Sequence, residues 1–276
     1  MPRDLSFETQ DDTVNGMPPL QRSAANDSSS SDRGRGSDND GSEPVDFLQK
    51  NMRREDEMMK LHPYGESLTL KDVDSCVLLE NACFEPHERA TPEKIEYRIT
   101  KCSGLCMGIF STATPSTENP SLISAATAST AHAPSNATPE NKSILLAHLI
   151  ATKTTNPDVR DEDMAYPSDW RTNQSPDPSI GHREHGRTVA VHSLAVLPTH
   201  QGKGLGKMLM KTFIQRVHDS QAADRVALLT FDHLVPYYES LGFECKGRSE
   251  ATFGGGNWNS MVKDLTSEQP QRPAAS

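Results

Sequence analysis

The sequence is short of several things at once, and each shortage excludes a class of protein. Aromatic residues make up 5% and hydrophobic residues 34% of its 276 positions, and the mean hydropathy is −0.64. A chain this polar holds one modest core diluted by segments that cannot offset their ordering entropy. No apolar run reaches the length of a membrane span, and the N-terminus has no signal-peptide core, so no membrane partner is expected. Basic residues are outnumbered, giving a formal net charge of −10, which argues against nucleic-acid binding and suits cationic ligands. There are only five cysteines, Cys76, Cys83, Cys102, Cys106 and Cys245. None forms a CxxC pair, so zinc and dithiol chemistry lose their main signal, and the thiols read as buried and reduced in a cytoplasmic protein.

Low-complexity composition marks the ends and the middle of the chain. Residues 1–62 read as a disordered tail rich in Ser, Asp, Gly and Arg. A Ser/Thr/Ala/Pro insertion occupies 112–142, a polar segment 153–187, and residues 267–276 form a second tail. Between them, 63–266 is expected to be one mixed α/β domain, a central sheet flanked by helices, in the order strand–helix–helix–strand–strand, then strand–helix–strand–helix–strand–strand. Leu68 and Leu70 alternate with polar neighbours as in a strand, and Asp72 opens a helix carrying Cys76, Leu79 and Cys83. Thr91-Pro92-Glu93 is a second helix start, with Ile95, Ile99 and Cys102 as its stripe. Leu105–Ser111 and Ser143–Thr152 read as a hairpin whose turn the insertion has expanded, a cheap enlargement because closure entropy grows slowly with length. The 153–187 segment ends in GHREHGR; His182 and His185 lack further ligands at metal spacing, so it is read as a mobile loop without a metal.

The chemistry concentrates in Thr188–Gly206, TVAVHSLAVLPTHQGKGLG. A near-continuous apolar strand runs into a glycine-rich loop and then an amphipathic helix whose apolar positions are Leu205, Met208, Leu209, Phe213 and Val217. Glycines that bare backbone N–H groups at a helix start suit a phosphate. A P-loop is excluded because Gly202 and Gly206-Lys207 are one residue too close and Met208 stands where Ser or Thr is needed; GxGxG is also one residue short of a dinucleotide fingerprint.

Gln201-Gly202-Lys203-Gly204-Leu205-Gly206, the preceding HSLAVLP and the later LVPYYESLGF together resemble the acetyl-CoA-binding segments of the GCN5-related N-acetyltransferase (GNAT) superfamily. Within it they look most like the arylalkylamine (serotonin) N-acetyltransferases and their polyamine-acetylating relatives. The resemblance implies the GNAT acyl-CoA N-acyltransferase fold and acetyl-CoA as cosubstrate. Backbone groups of Leu194, Ala195 and Val196 would pair with the pantetheine arm, and Gln201, Gly202, Lys203, Gly204, Leu205, Gly206 and Lys207 would hold the pyrophosphate. His192 matches one of the family's two strand histidines, which remove the amine's proton through water, and the other falls on Ala190. Tyr238 matches the tyrosine that protonates the departing thiolate, with Tyr237 beside it packing against substrate or core. Cys83, Cys102 and Cys245 are not expected to carry acetyl, since no histidine is placed by sequence to activate them and the resemblance implies direct transfer. The implied acceptor is a small arylalkylamine or polyamine bound by a monomer. The alternatives are a protein lysine or N-terminal acetyltransferase, and a non-catalytic acyl-CoA-binding module.

Overall fold

The computed structural model describes residues 62–113, 142–173, 177 and 179–265. The tails and insertion expected from composition fall, apart from their edges, outside the described residues.

A short strand, β1 (Tyr64–Ser67), leads into a capping box: the Asp72 carboxylate accepts from the Thr69 N–H and hydroxyl, both at 2.8 Å. That box ends the strand earlier than the Leu68/Leu70 alternation implies. Leu68 is fully buried, whereas Leu70 is 57% exposed at the head of a 3-10 turn. Helix α1 (Val73–Cys83) follows, and α2 (Pro92–Cys102) starts where its sequence says it should. Thr91 Oγ1 accepts from the Lys94 N–H, and Pro92 occupies the first turn, where no donor is needed.

Strands β2 (Cys106–Ala113) and β3 (Lys142–Thr154) form the expected antiparallel hairpin, with Ala113 opposite Lys142 at the edge of the insertion. Then come a one-turn helix α3 (Asp161–Met164), strand β4 (Thr188–Val196), helix α4 (Leu205–Asp219), β5 (Arg225–Thr230), a short α5 (Val235–Glu239), β6 (Glu244–Arg248) and β7 (Asn259–Asp264). The seven strands order as β1-β2-β3-β4-β5-β7-β6, antiparallel throughout except for the parallel pair β4–β5.

The core lies along β3, whose residues 143–151 are all buried, as a strand covered on both faces must be. Helices α1 and α2 pack on each other and on β3, while α4 lies against β2, β3 and β4. The α4 stripe is as its periodicity predicts, with Leu205, Leu209, Phe213 and Val217 buried; Met208 is the exception at 37% exposed.

Two irregularities make room for a site. Opposite β3, Ser193 pairs with Ile150 and Val191 with Ala151, so His192 is an extra residue in a β-bulge. Bulges re-aim side chains, and this one lies beside a gap. The β4–β5 pairing ends at Val191–Leu228, although both strands continue. Beyond that point β4 presents an edge unpaired by β5.

The 153–187 segment is more ordered than its composition implies. Asn156 and the Arg160 N–H bond the buried Asp163, the Gly181 N–H donates to Glu162 O, and the Arg183 N–H to Lys153 O. Tyr97 of α2 packs against Tyr166 and Trp170. These bonds and ring contacts tie the described part of the segment to the sheet and α2, and Met164 at the end of α3 meets His192 of the bulge.

Candidate active site

The gap between β4 and β5 is a cleft of about 340 Å3, reaching from Gly206 and Tyr238 at one end to Glu80, His192 and Met164 within. Glu80, Glu85 and Glu88 line it, and among the described residues no lysine or arginine does. Its apolar wall includes Phe84, Phe231, Phe253 and Trp258, with Phe231 and Trp258 stacked at 4.2 Å. The loop carrying Phe253 is pinned by Asp161, whose carboxylate accepts from the Thr252 and Phe253 N–H groups, each at 2.9 Å. A low-dielectric cleft of one charge sign attracts cations.

The bulge aims His192 into this cleft, with Nε2 2.7 Å from Thr152 Oγ1 and Nδ1 3.2 Å from Met164 Sδ. Burial, followed by the nearby charges of Arg98, Lys94 and His182, holds the imidazole well below its usual pKa. It is therefore neutral at physiological pH and available as an acceptor. Ala190 is fully buried and does not line the cleft.

Sequence reasoning missed the group that stands in the opposite wall. Glu80 of α1 is 2% exposed, and Oε1 accepts from His148 Nε2 at 3.0 Å and from the Ser193 hydroxyl. Oε2 accepts from the Ala90 N–H at 3.0 Å. Burial pushes this carboxyl up, but the bonds and charge of His148, the Ser193 hydroxyl and the Ala90 N–H outweigh it and leave the pKa below the usual value. Glu80 is thus a fixed anion. His148, fully buried on β3, has no partner for Nδ1 among the described residues. The only local signal was polar residues at inward positions, Glu80 within the α1 stripe and His148 within SILLAHLIAT.

The glycine loop folds as its composition requires. Gly202 and Gly204 have φ of 73° and 87°, the left-handed region that side-chain-bearing residues avoid. Gly204 caps α4 with no side-chain bond, so the first N–H groups of the helix, Leu205 to Lys207, stay open for an anion. Gly206 is tight for a different reason. A Cβ there would lie 3.2 Å from Tyr237 Oη and 3.3 Å from Val196 Cγ2, so these side chains would have to give by a few tenths of an ångström to admit one. The predicted cradle residues are brought together, with one difference of role. Gln201 turns inward and donates from Nε2 to Val196 O at 3.0 Å, while Cys83 Sγ donates to the same carbonyl at 3.2 Å. Gln201 braces the loop, and Val196 C=O is already engaged; Leu194 and Ala195 line the cleft. Lys203 is half-buried and Lys207 exposed beside the helix start.

Tyr238 is 7% exposed, lines the cleft and packs edge-on to Phe243. Burial, then the neighbouring Tyr237, pushes its phenol far up, so it remains a proton donor at any working pH. Tyr237 packs partly buried against the core.

Burial pushes Cys83, Cys102 and Cys106 each up to about 12 and Cys76 well above the usual thiol value, so these four thiols are protonated at neutral pH. One of them does meet a histidine, contrary to the sequence-based expectation. His182 Nδ1 lies 3.4 Å from Cys102 Sγ, while His182 Nε2 meets Glu184 at 3.0 Å. The fold brings this pair together from 80 residues apart. Neither residue lines the cleft. His185 is exposed. Among the described residues no cluster of three or more His, Cys, Asp or Glu side chains could hold a metal ion.

Comparison with known proteins bears on this geometry. Residues 171–265, which carry β4 to β7, the glycine loop and Tyr238, match the family described as acetyltransferase (GNAT) domain. Over 73 residues the chain is 37% identical to serotonin N-acetyltransferase of Mesocricetus auratus, covering 26% of this chain and 35% of that protein. The Macaca mulatta protein of the same name is 34% identical over 73 residues, 26% of this chain and 36% of its own. The matched stretch thus spans about a third of the length of these relatives. Among solved structures, the loading GNATL domain of CurA from Lyngbya majuscula aligns with 74% of this chain and 98% of its own, at 13% identity and a TM-score of 0.49. The matched segment, which holds the glycine loop, the bulged strand and the buried tyrosine within a mixed seven-stranded sheet, is thus similar to the acetyltransferase (GNAT) domain family.

Proposed function

We propose that the chain is an acetyl-CoA-dependent N-acetyltransferase that passes acetyl directly to the primary amine of a small arylalkylamine or polyamine. One observation carries the reading. The splayed ends of β4 and β5 open a cleft onto which a neutral histidine, a protonated tyrosine, a fixed carboxylate and an open helix N-terminus all face. The fit to acetyl-CoA is local and physical: unpaired N–H groups at the start of α4, no Cβ at Gly206, and a strand edge left unpaired by β5 from His192 to Val196.

Acetyl-CoA, when bound, supplies the acetyl thioester. The N–H groups from Gly204 to Lys207 hold its pyrophosphate at the positive end of α4. The β4 edge pairs with the pantetheine arm as an added strand would, and a backbone N–H on that edge stabilises the oxygen where charge develops. Glu80, Glu85 and Glu88 draw the ammonium form of the acceptor into the cleft. His192 takes up the ammonium's proton through water, with Thr152 fixing the ring; its low basicity makes it a relay to solvent rather than a place of rest for the proton. As the C–N bond forms and the C–S bond breaks, Tyr238 hydrogen-bonds the departing sulfur and gives it a proton, and the proton shed by the acylated nitrogen passes through water to restore the phenol. The same dry cleft raises the thiol's pKa, which brings donor and acceptor closer to balance. Holding both substrates side by side supplies much of the acceleration.

The aromatic wall of Phe84, Phe231, Phe253 and Trp258 supports an aryl acceptor, as does the similarity to serotonin N-acetyltransferases. The glutamates at the rim, Glu85 and Glu88, support a second cationic centre. Thiol release from acetyl-CoA with tryptamine, phenethylamine, putrescine and spermidine tests the proposal, and an absence of release with every amine overturns it.

A further inference from the structure

The Tyr237 hydroxyl is left without work by the mechanism above. Its oxygen is buried and has no hydrogen-bond partner among the described residues. The ring packs edge-on to Tyr238 at 5.1 Å, a contact phenylalanine would make equally well. Leaving a buried donor unmade is costly, so an unpartnered hydroxyl marks a place where a partner arrives.

Its position says which partner. The oxygen lies 3.2 Å from the point where a Gly206 Cβ would stand, with Val196 Cγ2 3.3 Å from the same point. Gly206 and Val196 both line the cleft. Gly206 is also in the first turn of α4, where the open N–H groups are. Burial pushes the phenol up to about 12, so the group is a donor throughout the working range. The two lysines beside the helix start differ from it in burial: Lys203 is half-buried and Lys207 exposed, whereas the Tyr237 oxygen is buried.

We propose that the Tyr237 hydroxyl is a cofactor-positioning donor, completing the N–H cradle of α4 by hydrogen-bonding the pyrophosphate of acyl-CoA. This rests on the acetyl-CoA reading above. Tyr237 then sets the depth at which the thioester enters the β4–β5 gap, while its neighbour Tyr238 serves the sulfur.

The test is Tyr237→Phe in the full chain, with CoA and acetyl-CoA binding measured by calorimetry, steady-state kinetics, and melting of the unliganded protein. A charge-assisted bond of this kind predicts about tenfold weaker CoA binding. The loss should fall on the KM for acetyl-CoA while kcat at saturating donor holds, and the unliganded melting temperature should stay level or rise. With the acetyl thioester of pantetheine, which lacks the pyrophosphate, variant and wild type should have equal KM. Equal CoA affinity in the two proteins, a lowered unliganded melting temperature, or an equal loss with the pantetheine thioester each overturns the assignment. Should the wild type itself bind no CoA, the acetyl-CoA reading falls first and this inference with it.

Discussion

Replacing Glu80 by Gln is the change whose outcome the structure constrains most tightly. Glu80 is 2% exposed and bonded to His148, Ser193 and the Ala90 N–H, all on the buried side of the cleft. The amide keeps the shape and removes the charge, and it presents N–H groups where acceptors are required. Removing one partner of a buried charged pair costs about 3–5 kcal/mol. At about 2–4 °C per kcal/mol for a domain of this size, the melting temperature should fall by about 6–20 °C. The pH dependence has a definite sign. Because the folded pKa lies below its ordinary value of 4.5, the carboxylate's stabilisation is present above that value and is lost as pH falls through the folded pKa. The variant should lack that acid-side loss. Urea denaturation of both proteins between pH 7 and 3 reads both effects, and a cycle with His148→Gln isolates the pair. The amine KM should also rise, since the cleft loses its innermost anion. A stability loss under about 1 kcal/mol, or additive effects in the cycle, would refute the account of Glu80 as a fixed, paired anion.

Three further outcomes follow from the same geometry. Tyr238→Phe should lower kcat about a hundredfold with the acetyl-CoA KM unchanged, as loss of a general acid does; steady-state kinetics with saturating amine checks it. His192 is held well below 6.5, so kcat/KM should show no inflection near pH 6.5 and should climb with deprotonation of the amine instead; an inflection near 6.5 that disappears in His192→Ala contradicts the burial argument. His200 is fully buried, and burial, with Lys203 nearby, pushes it from 6.5 down to about 4. Below pH 6.5 the unfolded chain takes up a proton that native His200 accepts only near 4, so stability should fall across that window, and His200→Phe should flatten the fall measured by denaturant titration.

What the sequence makes legible is whatever is local. The Thr91-Pro92 start, the α4 stripe and the positive-φ glycines each announce themselves within a few residues, because caps, periodicity and backbone freedom are short-range causes. The hairpin around the insertion and the order of elements follow from the same signals. At Leu70 the alternation of two leucines is overruled by the Thr69–Asp72 capping box, only four residues long. The bulge at His192 has no such signature, since it arises from the register between β3 and β4. Glu80, His148 and Ser193 are 68 and 113 residues apart along the chain and meet only when α1 packs on the sheet. Cys102 and His182 are hidden for the same reason. Composition likewise hides the order in 153–187, where a buried Asp163 and the aromatic contacts of Tyr97 hold a polar segment in place.

The central claim, direct acetyl transfer to an amine in the β4–β5 cleft, is tested most directly by following labelled acetyl from acetyl-CoA in the presence of the full-length chain. With tryptamine or spermidine present, the account predicts saturable, amine-dependent appearance of the N-acetylated amine, one free thiol for each acetyl moved, and no label on the protein. Label fixed on the protein without amine, or no acetylated product with any amine, would contradict it.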